Sequence, residues 1–382
     1  MSSNNRLNSI SEYHFQKLDI LKKKLINDGK KIVDLSIGDP DLEVDKSIIQ
    51  SLIEGFNVNG YNKYPPYDGI EELKLGIINY YREIYNVKLT LDEVLILIGS
   101  KEGINNIIPA VCDIGDYAIV PNPGYPVYST CCHLWGVNTY NIVLKENNSY
   151  LPHLGDIDKK VLDKCRLFAI NYPNNPTGAT ANSDFYKEIV EFCNNHNIII
   201  YNDAAYNEII KKNEAPLSIL QFDPQKKCVE FGTFSKTYNM TGFRIGYVVG
   251  NSRVISSLLK VKSNVDSGQF IPIQYAAIAA LKLSRDYVNS IRNTYEERKK
   301  ITKRLLYEHN IEFFDSEGTF YLWCKTPAKF NTEKFCEELL NAGGLVVTPG
   351  NAFGDAGADN FRIALTRDKM EIFNAFNKIS VY

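Results

Sequence analysis

One turn-rich segment of this chain concentrates groups that can do chemistry. Thr233, Ser235, Lys236 and Arg244 lie between two apolar, strand-like pieces within 229–249. A lysine amine can form a Schiff base with an aldehyde, and hydroxyls with a guanidinium can hold a phosphate dianion. The segment therefore suits a cofactor that carries both groups. Taken alone it also reads as a hairpin with a solvated lysine, since the chain has 43 Lys and Arg.

Other candidates sit just after apolar runs. Asp203 ends Ile198–Tyr201-Asn202-Asp203, where an unpaired carboxylate is costly unless it meets a cation or donors. A pyridinium nitrogen is such a partner, and a helix N-cap is the alternative. Tyr206, three residues on, is placed to bond a phenolic oxygen of the same ring. Asn174-Asn175-Pro176-Thr177-Gly178 is first a turn, but a turn after a buried strand also fixes an Asn over the strand end. Gly99-Ser100-Lys101 opens a helix after a strand, which leaves free backbone N–H groups that suit a phosphate. Tyr125 in a Pro-rich loop can stack on a flat ring or simply pack. Arg362, flanked by apolar residues in Phe361–Leu365, can grip a carboxylate in a bidentate fork, or lie solvated on an edge strand.

These residues must be positioned by the elements around them. An amphipathic helix carrying Phe15, Leu18, Leu21 and Leu25 stops at Gly29, and a short strand Ile32–Ile37 leads into the turn Gly38–Asp41. Helices are expected over Ser47–Phe56, Ile70–Tyr85 and Asp184–Asn194, and strands over Val94–Ile98, Tyr117–Val120, Leu167–Asn171 and Ile198–Tyr201. From about residue 90 to 250 strand, loop and helix alternate, the pattern of a wound, mostly parallel α/β sheet with ligands at the carboxyl ends of its strands. Beyond 270 the texture becomes that of a smaller α+β unit. It has helices Ile273–Leu283, Asp286–His309 and Thr332–Ala342, and strands Gly318–Lys325 and Phe361–Leu365. The expected division is 1–33 as an N-terminal arm and helix packing with the small domain, 34–270 as a large cofactor domain and 271–382 as the small domain.

The totals narrow the class. A length of 382 residues favours two domains, and a net charge of −2 offers no basic field for nucleic acid or an anionic membrane. The eight Cys are scattered without a CxxC pair, as in a protein with reduced thiols, and the five His form no ligand-spaced cluster, so no metal is expected. The N-terminus is polar and no window is long enough to span a bilayer, so a cytoplasmic protein with a small-molecule partner is expected.

Ring stack, ring-nitrogen partner, oxygen donor, lysine, phosphate cup and carboxylate clamp together describe a pyridoxal phosphate site. Nearly the whole chain resembles the class I/II aminotransferases of the fold-type-I pyridoxal phosphate family. The resemblance is carried, in order, by SIGDPD (Ser36–Asp41), YPPYDG (Tyr64–Gly69), GSKEG (Gly99–Gly103), NNPTG (Asn174–Gly178), DAAY (Asp203–Tyr206), SKTYNMTGFRIGY (Ser235–Tyr247) and FRIAL (Phe361–Leu365). It implies that Lys236 is the Schiff-base lysine and proton shuttle, that Asp203 pairs with the ring nitrogen, and that Tyr206 and Asn175 bond the ring oxygen. It further implies that Tyr125 stacks on the ring and that Ser100, Lys101, Ser235 and Arg244 hold the phosphate. Arg362, Asn175 and the Gly38 backbone would take the substrate carboxylate. Tyr64 would reach the phosphate of a second subunit, which implies a homodimer with shared sites.

Residues 12–18, Ser36–Leu42, GSKEG and Lys262–Phe270 look like the LL-diaminopimelate aminotransferase branch, which would make Tyr13 a substrate contact or, more plainly, an anchor for the arm. No arginine in 262–274 offers a second clamp for a distal carboxylate, which weighs against an aspartate enzyme. Transamination of diaminopimelate with an oxo acid such as 2-oxoglutarate leads. The alternatives are an aspartate or broad-specificity aminotransferase, a C–S β-lyase of the same fold, and a non-catalytic binding protein.

Overall fold

The structure is a computed structural model and describes residues 4–8 and 16–379. The helix Gln16–Asn27 sets Leu21 and Leu25 against Leu340 and Val346. The chain then forms the short strand β1 (Val33–Asp34). Among the described residues, the central sheet is built from β2 (Val94–Leu97), β3 (Tyr117–Asn122), β4 (Asn138–Val143), β5 (Cys165–Ile170), β6 (Ile199–Asp203), β7 (Val229–Thr233) and β8 (Gly246–Gly250). Their order is β2-β8-β7-β6-β5-β3-β4, and β8 runs antiparallel to both its neighbours. The other pairings are parallel, so β2, β3, β5, β6 and β7 all end on one edge.

Near-continuous apolar strands require cover on both faces, and the side-chain alternation shows it. Leu95 and Leu97 pack with Ile104, Ile107 and Leu258 from the helices Ser100–Val111 and Ser252–Val265. Val94 and Ile96 face the other way, toward Leu73, Ile77 and Ala276–Ala277 of the helices Glu71–Tyr85 and Ile271–Leu281. Farther along that face, Phe168 and Ile200 meet Ile189 and Val190 of the helix Ser183–Asn195. The result is a three-layer α/β sandwich.

The second unit contains β9 (Phe313–Phe314), β10 (Tyr321–Lys325), β11 (Leu345–Val346), β12 (Thr348–Pro349) and β13 (Asn360–Ala364). The antiparallel order is β12-β13-β10-β9, while β11 pairs in parallel with β1. The long helix Arg285–Glu308 covers this sheet through Ile291, Tyr295 and Leu305, with Ile301 partly buried beside them. Arg298 on that helix grips both carboxylate oxygens of Asp41 at 2.6 and 2.8 Å and so fixes the Gly38–Asp41 turn.

Several boundaries depart from the sequence expectation. The strand expected over Ile32–Ile37 keeps only Val33–Asp34 in its ladder, and the one expected from Gly318 starts at Tyr321. Thr319 has φ +59 and Gly318 lies against Pro173 and Gly178, so this stretch is a loop seated on the turn at 174–178. Helix Val127–Trp135 and edge strand β4 were not anticipated. Neither carries the aliphatic periodicity that marks the other elements.

Candidate active site

The candidates converge on the edge where the parallel strands end, facing β13. Lys236 follows β7, is partly buried, and donates to the Gly38 carbonyl at 2.6 Å. Burial pulls its amine down to about 8; Arg362 and Arg244 push the same way, and Asp39 and Asp203 oppose them.

Asp203 closes β6 and is 4% exposed. Its Oδ2 accepts from the Tyr128 hydroxyl at 2.8 Å, whereas Oδ1 is buried with no hydrogen-bond partner. Burial pushes this carboxyl up to about 6, against the Tyr128 hydrogen bond, a backbone N–H at Ala205 and the charge of Lys236. A buried, unpaired carboxylate oxygen requires a cationic or donor partner, which is what a protonated ring nitrogen supplies.

Asn171, just past β5, locks the next turn. Its Nδ2 donates to the Asp203 carbonyl at 2.6 Å and its Oδ1 accepts from the Asn175 N–H at 2.7 Å. Asn174 Oδ1 in turn accepts from the N–H and hydroxyl of Thr177. Held this way, Asn175 presents Oδ1 to Arg362 Nη1 at 2.7 Å. Arg362 Nη2 donates to the Ser36 carbonyl at 2.6 Å, and Nε is buried without a partner. The guanidinium lies 4.2 Å from the centre of the Tyr321 ring and 4.6 Å from that of Phe353. Tyr321 also joins hydroxyls with Tyr206 at 2.8 Å. Gly38 is obligatory here, because a Cβ would sit 1.8 Å from the Tyr321 hydroxyl.

The remaining candidates form a cup at the start of the helix Ser100–Val111. That helix has no side-chain cap, so its first N–H groups and dipole are open to an anion. Arg244 reaches across Gly99, where a Cβ would lie 2.7 Å from its Nη2. The backbone of Arg244 is left-handed (φ 53, ψ 52), a conformation that costs a non-glycine residue about 1–2 kcal/mol, and Gln269 holds its carbonyl. Ser235 accepts from the Thr233 hydroxyl at 2.9 Å. Behind the cup, buried Lys262 binds Glu102 at 3.1 Å and Asp266 at 2.9 Å, tying the helix start to the loop that carries Gln269.

The structure thus brings together Gly38, Ser100, Asn175, Asp203, Tyr206, Ser235, Lys236, Arg244 and Arg362. Tyr125 lies edge-on to Tyr128 with ring centres 5.7 Å apart. Lys101 is exposed, and Tyr64 is 84% exposed on its loop. Tyr13 lies outside the described residues. Sequence reasoning missed Tyr128, Asn171 and Tyr321; only Asn171, at the end of an apolar run, carried a signal that could have found it.

The aminotransferase class I and II family model matches residues 30–379. The chain belongs to that family. It is 41% identical to the LL-diaminopimelate aminotransferase of Natranaerobius thermophilus over all of both chains. It is also 41% identical to that of Aquifex aeolicus, covering 98% of this chain and 97% of the relative. Among solved structures it superposes on substrate-bound BacF of Bacillus subtilis with a TM-score of 0.94 and 31% identity, covering 99% of this chain and 97% of the other. As an aminotransferase of this family, the chain is an enzyme that uses pyridoxal 5'-phosphate to transfer amino groups between amino acids and oxo acids. The residues present fit that cofactor: the orphaned Asp203 Oδ1 suits its ring nitrogen, and the uncapped helix start beneath Arg244 suits its phosphate.

Proposed function

We propose that Lys236 is the catalytic amine of an enzyme that moves an amino group from LL-2,6-diaminopimelate to 2-oxoglutarate in lysine biosynthesis. The observation that carries the substrate is full-length similarity to curated relatives of that name. The one that carries the chemistry is the lowered amine of Lys236, set among Asp203, Arg244 and Arg362.

Pyridoxal phosphate, when bound, supplies an aldehyde to which amines add and a protonated ring that takes up the electron pair left at the substrate Cα. The chain does the rest. Asp203 would hold the ring nitrogen in its charged form, Tyr206 and Asn175 would hold the ring oxygen, and Tyr125 would pack on the ring. The helix start at Ser100–Lys101, Ser235 and Arg244 would hold the phosphate. Arg362, with Asn175 and the Gly38 backbone, takes the substrate carboxylate and orients the Cα–H toward Lys236 Nζ, which accepts its proton. The deaminated product would leave the clamp with its amino group left behind on the cofactor, the second oxo acid would enter, and Lys236 would return a proton to that acid's Cα as it takes up the amino group, so the two substrates react in alternation.

The exposed Tyr64 fits a role in a second copy's phosphate cup, which supports a homodimer with shared sites. The same reading assigns 34–270 to the cofactor domain and 271–382 to the small domain, although the helix Ile271–Leu281 packs on the central sheet beside Glu71–Tyr85; the helix of 1–33 packs on the small domain through Leu25, Leu340 and Val346. The proposed amino-acid biosynthetic role supports a cytoplasmic enzyme. Among the described residues no helix is long and apolar enough to cross a membrane.

The deciding experiment is a panel of amino donors with 2-oxoglutarate as acceptor, run on a preparation whose mass is checked by sedimentation. LL-diaminopimelate is expected to give glutamate with the highest kcat/KM, from a particle of two chains. Turnover of aspartate without diaminopimelate would replace the substrate assignment. Pyruvate from cystathionine in the absence of an oxo acid would indicate a lyase.

The lowered amine of Lys236 makes a second expectation. Only the unprotonated amine attacks an aldehyde, so the rate at which apoenzyme couples with pyridoxal phosphate rises with pH and levels off above about 8. A rise continuing to the ordinary lysine range, seen by stopped-flow absorbance, would show that the site does not lower this amine.

A further inference from the structure

Lys299 lies on the long helix Arg285–Glu308, is 7% exposed, and takes no part in the chemistry above. Its Nζ donates to the Gly318 carbonyl at 2.8 Å and to the Ser316 carbonyl at 3.4 Å. Among the described residues no carboxylate lies within ion-pair distance of it. Burial drives its amine down to about 7, helped by Lys303 and opposed by Asp315, Glu317 and Glu296. A long amine buried away from any carboxylate, with its donors committed to two backbone carbonyls of one loop, points to a need to hold that loop in place.

The loop leads directly to the carboxylate clamp. Gly318 N–H donates to the Gly178 carbonyl at 3.0 Å, and the Ser316 hydroxyl is packed so tightly on Gly178 that a Cβ there would lie 2.3 Å from it. Thr319 N–H donates to the Ile209 carbonyl at 2.7 Å, three residues past Tyr206. Thr319 Oγ1 then accepts the Tyr321 N–H at 2.9 Å, and Tyr321 carries the ring under Arg362 and the hydroxyl bonded to Tyr206. The loop therefore braces both the turn that holds Asn175 and the strand that presents Tyr321. Lys299 is its anchor on the long helix.

We propose that Lys299 is a positioning residue for the substrate carboxylate, acting through 316–319 on Tyr321, Asn175 and hence Arg362. The proposal rests on the reading of Arg362 as the carboxylate clamp.

The test is equilibrium binding of glutarate, a carboxylate with no amine to react, to the holoenzyme by calorimetry, beside steady-state kinetics. Lys299→Met keeps the chain length and removes the donors. It is expected to weaken glutarate about tenfold and raise the donor KM by a similar factor, with kcat within about threefold, because Lys236 and Asp203 are untouched. Lys299→Arg retains donors and is expected to recover most of the affinity. Thr319→Val, which keeps the lysine but removes the acceptor for Tyr321 N–H, is expected to weaken glutarate in the same direction and serves if Lys299→Met does not fold. Native glutarate affinity in Lys299→Met, or in Thr319→Val where only that variant folds, overturns the proposal, as does a lowered Tm with unchanged KM. Arg362→Gln separates the two readings. Its native affinity for glutarate would bring down the clamp itself, whereas loss in Arg362→Gln with native binding in Lys299→Met removes Lys299 alone.

Discussion

Lys236→Ala is expected to lower transamination by about 10³-fold or more, the scale for removing a group that serves as both acid–base catalyst and nucleophile. The size follows from where the amine sits. It is the nitrogen held at the Gly38 carbonyl, beside the carboxylate clamp and Asp203, with its proton affinity lowered to about 8 by burial. Neither Lys101 nor Lys262 can replace it. Lys101 is exposed on the first turn of its helix, and Lys262 is committed to Glu102 and Asp266. The cofactor's other holders, Asp203, Ser235 and Arg244, remain, so pyridoxal phosphate should still bind, but borohydride should no longer fix it to the chain. Mass spectrometry of the reduced protein reads this independently of turnover. A variant that still turns over at a tenth of the native rate, or still traps the cofactor at another lysine with activity, would refute the assignment.

The groups legible in the sequence were those that a single segment could justify. A carboxylate ending an apolar strand, an Asn in a turn after another, and an Arg inside a third each break the local pattern, so Asp203, Asn175 and Arg362 stood out. The groups that were not legible act across long separations. Tyr128 lies 75 residues from the Asp203 carboxylate it bonds, and Tyr321 lies 115 residues from Tyr206. Tyrosines of no special spacing in a chain of 24 carry no such information. Boundaries failed for a related reason. Asn171 extends the apolar run of β5 but lies past its ladder, where the next N–H, that of Tyr172, is taken by the Asn202 side chain rather than by a strand carbonyl. Gly318–Thr319 likewise looks like strand, yet its backbone is committed to Gly178 and Ile209. The polar edge strand β4 has one buried residue, Ile142, and so no pattern to read.

Asp203→Asn is expected to have effects of opposite sign on activity and on the stability of the cofactor-free chain. Without its charge the residue no longer holds the ring nitrogen protonated, and the transition state loses a preorganised charge-assisted bond. Removal of one such contact costs about 10²–10³ in kcat. Stability moves the other way. The folded carboxyl titrates at about 6 rather than near 3.8, so the native state binds this proton more tightly than the unfolded chain does. Stability is therefore lost as pH rises from about 4 to 6, and at neutral pH the ionised, half-unpaired Asp203 costs on the order of 3 kcal/mol. Asparagine removes the charge while its Oδ1 or Nδ2 can still meet the Tyr128 hydroxyl. Denaturant titration of the two apoenzymes at pH 7 should show the variant more stable, with the difference shrinking toward pH 4. Equal stability at both pH values would mean that Asp203 is not buried with an unmet demand. The residue would then be a structural carboxylate, and the ring-nitrogen assignment would lose its physical basis even if activity fell.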